Sequence, residues 1–254
     1  MKIIFVFIIL IFLTIMSKGQ DSKALVRQGD EYYSKFDLKS SIKYYEDAFA
    51  VSPDDYTILV KLTRAYNDLG ENYYELRERN NSESAINKAL IYAEKLALKF
   101  PDSSMTYALL AMSYGNLAMF KGGNEKVKLA HKIKENAEKS VGINPDNYLA
   151  YIILSIYHRQ IASLSWLERA FANTFFGSVP EGSLEESEAM MLKALKINPG
   201  IVIAMFHLSR TYKEMDNEKK EKEWLQKVID APVIDFRDKY AKRKSQRRLD
   251  ELAD

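Results

Sequence analysis

The sequence predicts an all-α protein: a right-handed α-solenoid of about five helical hairpins, with a further helix capping its C-terminal end. The first observation is a residue pattern that recurs after Pro53, Pro101, Pro145 and Pro199. The second is the run 149–157, in which Ser155 is the only polar residue. A helix that is apolar all round must be covered on more than one side, which stacked hairpins provide. The third is an amphipathic last segment at 235–252, which is typical of a capping helix.

The recurring pattern places a large, a small and a ring-bearing residue on one helical face. These residues stand six, ten and thirteen positions after each proline. In chain order they are Leu59, Thr63 and Tyr66; Tyr107, Ala111 and Tyr114; Tyr151, Ser155 and His158; and Met205, Ser209 and Tyr212. Because the spacing keeps each set on one side of a helix, the four stretches are an internal repeat.

The stretch that begins at Ser22 carries the repeat in its most regular form. Positions 4, 8, 11, 20, 24, 27 and 32 of a 34-residue unit are Leu25, Gly29, Tyr32, Ser41, Tyr45, Ala48 and Pro53. This spacing resembles the tetratricopeptide repeat and implies a tetratricopeptide-like solenoid. The later units are longer, with successive prolines 48, 44 and 54 residues apart. We place the extra residues between the two helices of each unit, at 68–84, 117–124 and 166–183, and the second helices at 83–100, 125–143, 184–197 and 218–229.

The last segment, 235–252, is expected to be a helix with Asp235 as its N-cap. Its stretch 237–248 carries seven basic residues against Asp238 alone, a local charge of +6. Two interpretations stay open. The basic side chains are a solvated outer face, or they contact an anionic membrane or an acidic partner.

Residues 1–19 differ in composition from the rest of the chain. Lys2 precedes an apolar run at 3–16, and small residues stand before a cut after Gly19. This order is typical of a secretory signal peptide. We therefore predict a signal peptide at 1–19, a solenoid domain at 20–254 and an exported protein, periplasmic or secreted. The alternative is a chain anchored in a membrane by residues 3–16.

Charge and composition exclude some classes of function. Without Lys2 and Lys18, 35 of the 37 basic side chains remain, which equals the 35 acidic ones. A formally neutral chain argues against a dedicated nucleic-acid binder. The sequence has no cysteine, so stability must come from packing.

The sequence carries no recognisable catalytic or metal-binding pattern. His131, His158 and His207 include no pair at the i, i+4 spacing of a helical metal site. His158 occupies the ring position of its repeat, which favours packing over a role as a ligand or an acid–base group. No P-loop, dinucleotide-binding glycine pattern or nucleophile elbow occurs. We expect neither enzyme activity nor a cofactor.

The resemblance to tetratricopeptide proteins implies where a ligand would bind. In such proteins positions 2, 5, 9 and 12 of each unit line the concave groove. Carried over to this chain, they include Arg64, Met105, Met112, Leu149, Ile152, Ile156, Arg159, Phe206 and Arg210. A mostly apolar groove with arginines suits an amphipathic segment with a carboxylate, or an acyl chain with a phosphate.

Three interpretations of this groove stay open. The first is a non-enzymatic module that binds a protein or an amphipathic peptide. The second, from another class, is a phospholipid-binding or lipid-carrying domain with arginines at its rim. In the third, the insertion at 166–183, with Phe171, Phe175 and Phe176, folds back and buries the face as ordinary core.

A more specific resemblance covers roughly residues 107–199. It rests on Ile133-Lys134-Glu135, Glu138-Lys139, Asn144-Pro145, Trp166, Arg169, Ala172, Phe176, Pro180 and Ser183-Leu184-Glu185. This set resembles the regulator of microtubule dynamics family, with Trp166, Arg169, Phe176 and Pro180 as motif residues. The resemblance implies a tetratricopeptide-like domain linked to microtubules and to membrane contact sites, where it binds phospholipid. An exported protein would not meet tubulin, so export and a microtubule role exclude each other.

The chain departs from that family at two positions. Ser165 and Val179 stand where the family tends to have proline. A bend before Trp166 would therefore depend on residues other than proline.

Overall fold

The computed structural model describes residues 22–253, apart from the side chain of Trp166. Every regular element in this range is helical, which confirms the predicted all-α class. Within the same residues, no helix is both long and apolar enough to cross a membrane. The segment 1–19 lies outside the described residues, so a signal peptide there and a domain at 20–254 stay predictions.

The helices are numbered in chain order. They are α1 (described at 22–34), α2 (Leu38–Val51), α3 (Tyr56–Glu75), α4 (Arg79–Lys99), α5 (Ser104–Ala118), α6 (Gly123–Ile143), α7 (Tyr148–Ala162), α8 (Trp166–Phe175), α9 (Leu184–Ile197), α10 (Val202–Glu214), α11 (Glu218–Asp230) and α12 (Phe236–Glu251).

The chain divides into two compact units, Met1–Pro101 and Asp102–Asp254. The described part of the first unit contains the hairpins α1–α2 and α3–α4. Gly29 on α1 lies against the ring of Tyr45 on α2, and an added Cβ would stand 2.3 Å from a ring carbon. Only a residue without a side chain allows this approach.

The second hairpin of this unit differs from its prediction. We expected the extra residues at 68–84 to separate the helices, but α3 continues to Glu75 and α4 begins at Arg79. Most of the extra residues therefore lengthen the two helices α3 and α4. The physical reason is that the added turns still pack together: the Ser82 hydroxyl donates to the Gly70 carbonyl oxygen at 2.7 Å, and both residues are buried.

The second unit contains, in its described residues, three hairpins and a final helix. α5 pairs with α6, α7 with α9, and α10 with α11, while α6 packs on α7 and α9 on α10. The second helices predicted at 125–143, 184–197 and 218–229 are found at Gly123–Ile143, Leu184–Ile197 and Glu218–Asp230. Together with the first unit, the described chain has five hairpins, as predicted.

The small residues that set the repeat register are buried. Thr63, Ala111, Ser155 and Ser209 are each at most 1% exposed. On α7, the Ser155 hydroxyl donates to the Ser187 carbonyl oxygen of α9 at 2.7 Å. Ser155 therefore joins the two helices of its hairpin directly, and the other three positions are buried within theirs.

The insertion at 166–183 forms a helix of its own, α8, followed by a linker back to α9. Ser165 caps α8: its hydroxyl accepts from the Glu168 N–H, and the Glu168 carboxylate accepts from the Ser165 N–H at 2.9 Å. This capping box starts the helix without a proline. The chain thus turns before Trp166 although the residue typical of the family is missing there.

The predicted last helix is confirmed as α12. Asp235 is its N-cap, and a capping box with Asp238 satisfies the first backbone donors. α12 packs on both α10 and α11, and Ala241 is fully buried in that contact. It therefore covers the end of the described hairpins in the second unit.

Candidate functional site

The first helices of the second unit, α5, α7 and α10, lie next to one another, because α7 contacts both others. We call the surface formed by their predicted groove positions the inner face. Its members are Met105, Met112, Leu149, Ile152, Ile156, Arg159, Phe206 and Arg210. All of them were assigned from the repeat spacing alone.

Four apolar members of the inner face are partly exposed. Met105 and Met112 are seven residues apart on α5, and Leu149 and Ile156 are seven apart on α7. Seven residues are about two helical turns, so each pair projects from one side of its helix. We call these four side chains the apolar stripe; Ile156 also packs against the core cluster that contains Ile152, and the methionines can adapt their shape to a partner.

Two other members belong to the core rather than to a groove. Ile152 is 7% exposed and packs with Leu208 between α7 and α10. Phe206 is 8% exposed and packs with Val228 and Ala241 under α11 and α12. The prediction missed this because repeat positions do not show how closely the next hairpin or the capping helix packs.

The insertion lies on the second helix of its neighbouring hairpin. α8 packs against α6, and Phe171 and Phe175 are 54% and 66% exposed. The three phenylalanines, with Phe176, contact one another. Met105, Met112 and Leu149 stay partly exposed, so the insertion does not bury this part of the inner face, whereas Ile156 packs against the core cluster that contains Ile152.

The most unusual member of the inner face is Arg159, which is only 2% exposed. Its Nη2 lies 3.5 Å from Nδ1 of His207 on α10, and its Nε is buried without a hydrogen-bond partner among the described residues. No carboxylate of residues 22–253 lies within ion-pair distance of this guanidinium. The repeat spacing predicted that Arg159 lies at the rim of the groove, but the packing of α7 on α10 buries it.

The charges around this arginine are mostly positive. Burial, and then the charge of Arg210, lower the pKa of Arg159 to about 10, while Glu214 acts in the opposite direction. Burial also holds the pKa of His207 well below its ordinary value. Four cations lower it further: Arg159, Arg210, Arg237 and Lys244. At neutral pH the site therefore combines a charged arginine with a neutral imidazole, and Arg210 is exposed beside them.

The first unit has a separate groove around Arg64. A cavity of about 430 Å³ is lined by Asp30, Tyr33, Ser34, Tyr45, Tyr56, Thr57, Val60, Lys61 and Arg64. Asp30 accepts hydrogen bonds from Tyr45 and Lys61, both at 2.6 Å. Sequence reasoning missed Asp30 and Tyr33, although they occupy positions 9 and 12 of the unit that begins at Ser22.

A second cavity lies between α6, α7, α9 and the linker after α8. Its volume is about 500 Å³, and its lining includes Tyr151, Leu154, His158, Gly182 and Glu186. The Nε2 atom of His158 is 3.6 Å from Glu186, and burial lowers the pKa of this imidazole. Tyr151 and His158 are positions of the repeat, but the repeat did not indicate a cavity there, because the linker after α8 forms one of its walls.

The family motif residues build the insertion. Arg169 donates to the carbonyl oxygens of Pro180, at 3.0 Å, and Ile161, at 2.8 Å, so it joins the linker to the end of α7. The ring of Phe176 lies next to Gly123 at the start of α6. Trp166 is the first residue of α8. Three of the four motif positions therefore have a structural role here.

Part of the positive charge of α12 is neutralised within the protein. Arg248 bonds Glu221 on α11 at 2.8 Å, and Arg237 bonds Asp235 at 2.8 Å. Lys242 donates to the Ile229 carbonyl oxygen. These contacts favour a structural role for Arg237, Lys242 and Arg248 over contact with a membrane.

Within residues 22–253, no group of three or more histidine and acidic side chains is placed to hold a metal ion. The site consists instead of an apolar stripe and a buried cation on stacked helical hairpins. These features define a helical-repeat protein of the tetratricopeptide-like class, a fold that typically serves to bind proteins.

Comparison with known proteins identifies the family. The model of regulator of microtubule dynamics proteins 1 to 3 matches residues 25–253, so the chain belongs to this family. The chain is 27% identical over 223 residues to regulator of microtubule dynamics protein 3 of Bos taurus, which covers 86% of this chain and 46% of that protein. It is 23% identical over 200 residues to protein 2 of Homo sapiens, with 78% and 48% covered.

The chain spans about half the length of these curated relatives. Among solved structures it resembles a thermophilic tetratricopeptide-repeat protein of Thermus thermophilus, with a TM-score of 0.66 and 15% identity. The match covers 89% of this chain and 98% of that one. It confirms the tetratricopeptide-like fold.

The family corrects the predicted localisation. The relatives are eukaryotic proteins named as regulators of microtubule dynamics, and an exported protein would not meet microtubules. The prediction of an exported protein, periplasmic or secreted, is therefore wrong. The error was to derive a compartment from the composition of residues 1–19 alone. The alternative, an anchor at 3–16, falls on residues outside the described part of the chain.

Proposed function

We propose that this chain is a non-enzymatic binding module whose inner face takes a protein or an amphipathic peptide. The observation that carries the proposal is the partly exposed apolar stripe of Met105, Met112, Leu149 and Ile156. Stacked hairpins commonly bind their partners across the surface of such helices. The insertion leaves the stripe accessible, since α8 packs on α6.

The names of the relatives suggest the kind of partner. The bovine and human proteins are named as regulators of microtubule dynamics. By extension, the partner of this chain is a protein that forms microtubules or acts on them. The matched segment covers about half of each relative. The suggested partner is therefore a partner of this helical domain, not of the whole relative.

The alternative of a phospholipid groove has less support. An acyl chain needs a continuous apolar channel, because each enclosed methylene contributes only about 0.8 kcal/mol. Ile152 and Phe206, two of the apolar residues that would line it, are 7% and 8% exposed and belong to the core. The remaining stripe is better suited to the separate apolar side chains of a peptide.

The test begins with peptides selected on the purified chain from a random library. Their binding is then measured by fluorescence anisotropy to the parent and to a Met105→Gln/Met112→Gln variant. Glutamine keeps the length and helix propensity of methionine but removes its apolar surface. Leu192→Gln is the matched control, because Leu192 is 39% exposed on the second helix α9.

The proposal expects the double variant to bind the selected peptides at least about tenfold more weakly, which corresponds to about 1.4 kcal/mol. The Leu192→Gln control should bind like the parent. Equal binding by the parent and the double variant would show that the stripe is not the site.

A further inference from the structure

Three of the four repeated stretches place a lysine ammonium over the ring that stands thirteen residues after the proline. In each case the lysine belongs to the second helix of the same hairpin. The pairs are Lys88 with Tyr66, Lys132 with Tyr114 and Lys220 with Tyr212, and the Nζ atoms lie 5.1, 4.8 and 4.8 Å from the ring centroids. An ammonium over an aromatic face is a favourable contact, so the repeat itself supplies a cation at this place.

The stretch that follows Pro145 reverses the charge at the same place. Its ring residue is His158, and the residue thirteen positions before Pro199 is Glu186, where Lys88 and Lys132 stand thirteen positions before their own prolines. The Nε2 atom of His158 lies 3.6 Å from the Glu186 carboxylate, so these two side chains meet across the hairpin as the tyrosines and lysines do. Where the other stretches have a cation, this one has an anion.

The cavity of about 500 Å³ opens at this pair. In the last stretch, Tyr212 and Lys220 both donate to Glu188, at 2.6 and 2.9 Å, so groups of the chain satisfy one another. In the stretch after Pro145 the imidazole is shorter than a phenol and an acid replaces the lysine. The imidazole lines the cavity with its side chain 12% exposed, and its distance from Glu186 is slightly beyond that of a hydrogen bond.

The charged groups that line the cavity are mostly negative. They are Glu138, Glu181 and Glu186 against Lys134, a formal charge of −2 from three carboxylates and one ammonium. Lys134 lies 3.5 Å from Glu138, and no Lys or Arg nitrogen of residues 22–253 lies within 4 Å of Glu181 or Glu186. His158 does not offset this charge at neutral pH, because burial lowers the pKa of its imidazole. The cavity therefore favours a cation from outside the described chain.

We propose that this cavity receives a lysine side chain of a protein partner, whose ammonium lies between Glu186 and His158. A carboxylate and a neutral imidazole nitrogen both accept hydrogen bonds, and an ammonium has three donors. Val141, Leu154 and Met190 supply apolar lining that suits the methylenes of a lysine stem. The lining includes no residue of the inner face, so the inference concerns a second site and does not rest on the proposed function.

A lysine of a protein fits better than a free polyamine or a metal ion. A polyamine carries several ammonium groups, and Lys134 on the cavity wall would repel the second one. In the described residues, no set of three histidine or acidic side chains is placed to hold a metal ion. A lysine brings one ammonium on an apolar stem, and the fold is one that typically binds proteins.

The test compares acetyl-leucyl-lysine amide with acetyl-leucyl-norleucine amide, which has the same stem without the ammonium. Each is titrated into the full chain labelled with [methyl-¹³C]methionine, and the readout is the NMR signal of Met190, which lines the cavity. A Met190→Leu variant assigns the signal. The titration is repeated on Glu186→Lys and on Glu185→Lys. The second variant is the matched control, because Glu185 is the exposed neighbour on α9 and is not part of the lining.

The inference expects the lysine peptide to shift the Met190 signal saturably in the parent. The norleucine peptide should bind about fivefold more weakly, since ion pairs with partly exposed carboxylates are modest. Glu186→Lys should show no saturable shift, because its own ammonium then occupies the place. Glu185→Lys should bind the lysine peptide like the parent.

A double variant tests the equivalence of the stretches separately. His158→Tyr/Glu186→Lys restores the tyrosine and lysine of the other three stretches. It should melt no lower than the parent and should bind no lysine peptide. A clearly lower melting temperature would show that this pair does not correspond to the other three, which would contradict the inference.

Three further results would overturn the inference. Equal affinity for the two peptides would mean that the cavity recognises only the apolar stem. Unchanged binding of the lysine peptide to Glu186→Lys would place the ammonium elsewhere. Tighter binding of spermidine than of the lysine peptide would assign the cavity to a polyamine. Met105→Gln/Met112→Gln should leave the Met190 titration unchanged, so this inference and the proposed function can fail independently.

Discussion

The guanidinium Nη2 of Arg159 on α7 lies 3.5 Å from Nδ1 of His207 on α10. A guanidinium only donates, so Nδ1 must accept and the ring proton must be on Nε2. This contact requires a neutral imidazole, because a protonated ring would place two cations together. The packing of α7 on α10 is therefore linked to the protonation of His207.

We predict that the free energy of unfolding decreases as the pH falls below 6.5. Burial lowers the pKa of both His207 and His158 in the folded chain, and neighbouring cations lower that of His207 further. The unfolded chain then binds protons that the folded chain does not, which costs up to about 1.4 kcal/mol per pH unit for each histidine. Urea denaturation at pH 7.5 and at pH 5.5 measures the difference.

The matched variant is His207→Gln, which retains a hydrogen-bond acceptor for Arg159 but cannot titrate. Its stability should decrease less than that of the parent between the two pH values. An equal decrease in both proteins would show that His207 is not the source of the pH dependence.

A second prediction concerns the small residue between α7 and α9. Ser155→Leu should destabilise the protein by about 1 to 3 kcal/mol, because Ser155 is 0% exposed and the larger side chain would push the helices apart. Glu185→Gln, at an exposed position on α9, should leave the melting temperature nearly unchanged. Equal melting temperatures for Ser155→Leu and the parent would contradict the helix register.

A third prediction separates the core from the stripe on one helix. Ile152→Asp should lower stability by more than about 3 kcal/mol, since it buries a charge among Leu208, Met191 and their neighbours. Leu149→Asp, at a partly exposed position one turn earlier, should remain folded. Circular dichroism melting curves of both variants decide this. A folded, stable Ile152→Asp would mean that the position is an open groove after all.

A fourth prediction concerns the linker after α8. Gly182→Ala should destabilise the protein, because the new Cβ would stand 2.6 Å from the Ile161 Cβ and 2.7 Å from the His158 carbonyl oxygen. Gly142→Ala is the control: nothing lies within 4 Å there, and alanine is the better helix former by about 0.5 to 1 kcal/mol. The melting temperature should therefore fall in Gly182→Ala and rise in Gly142→Ala. A shift to higher temperature in both variants would refute the close packing of the linker.

The helices and their register could be predicted because they depend on local spacing. Thr63, Ala111, Ser155 and Ser209 marked the buried side of four helices, and all four are buried. Asp235 likewise marked the start of α12, since an N-cap is a property of adjacent residues.

The candidate site was less predictable because it depends on contacts between distant residues. Repeat positions selected Ile152 and Phe206, yet α10 and α12 cover them. The same spacing placed Arg159 at a rim, although His207, 48 residues away, lies against it. The length of the second unit predicted an insertion at 68–84, but length alone does not distinguish a loop from two longer helices.

The most direct measurement is hydrogen–deuterium exchange by mass spectrometry, on the purified chain with and without a saturating selected peptide. Binding on the inner face predicts slower exchange in the first helices α5, α7 and α10, where an occupied surface suppresses local opening. The second helices α6, α9 and α11 should exchange as they do without peptide. Slower exchange confined to α6, α9 and α11, with α5 and α7 unchanged, would contradict a binding site on the inner face.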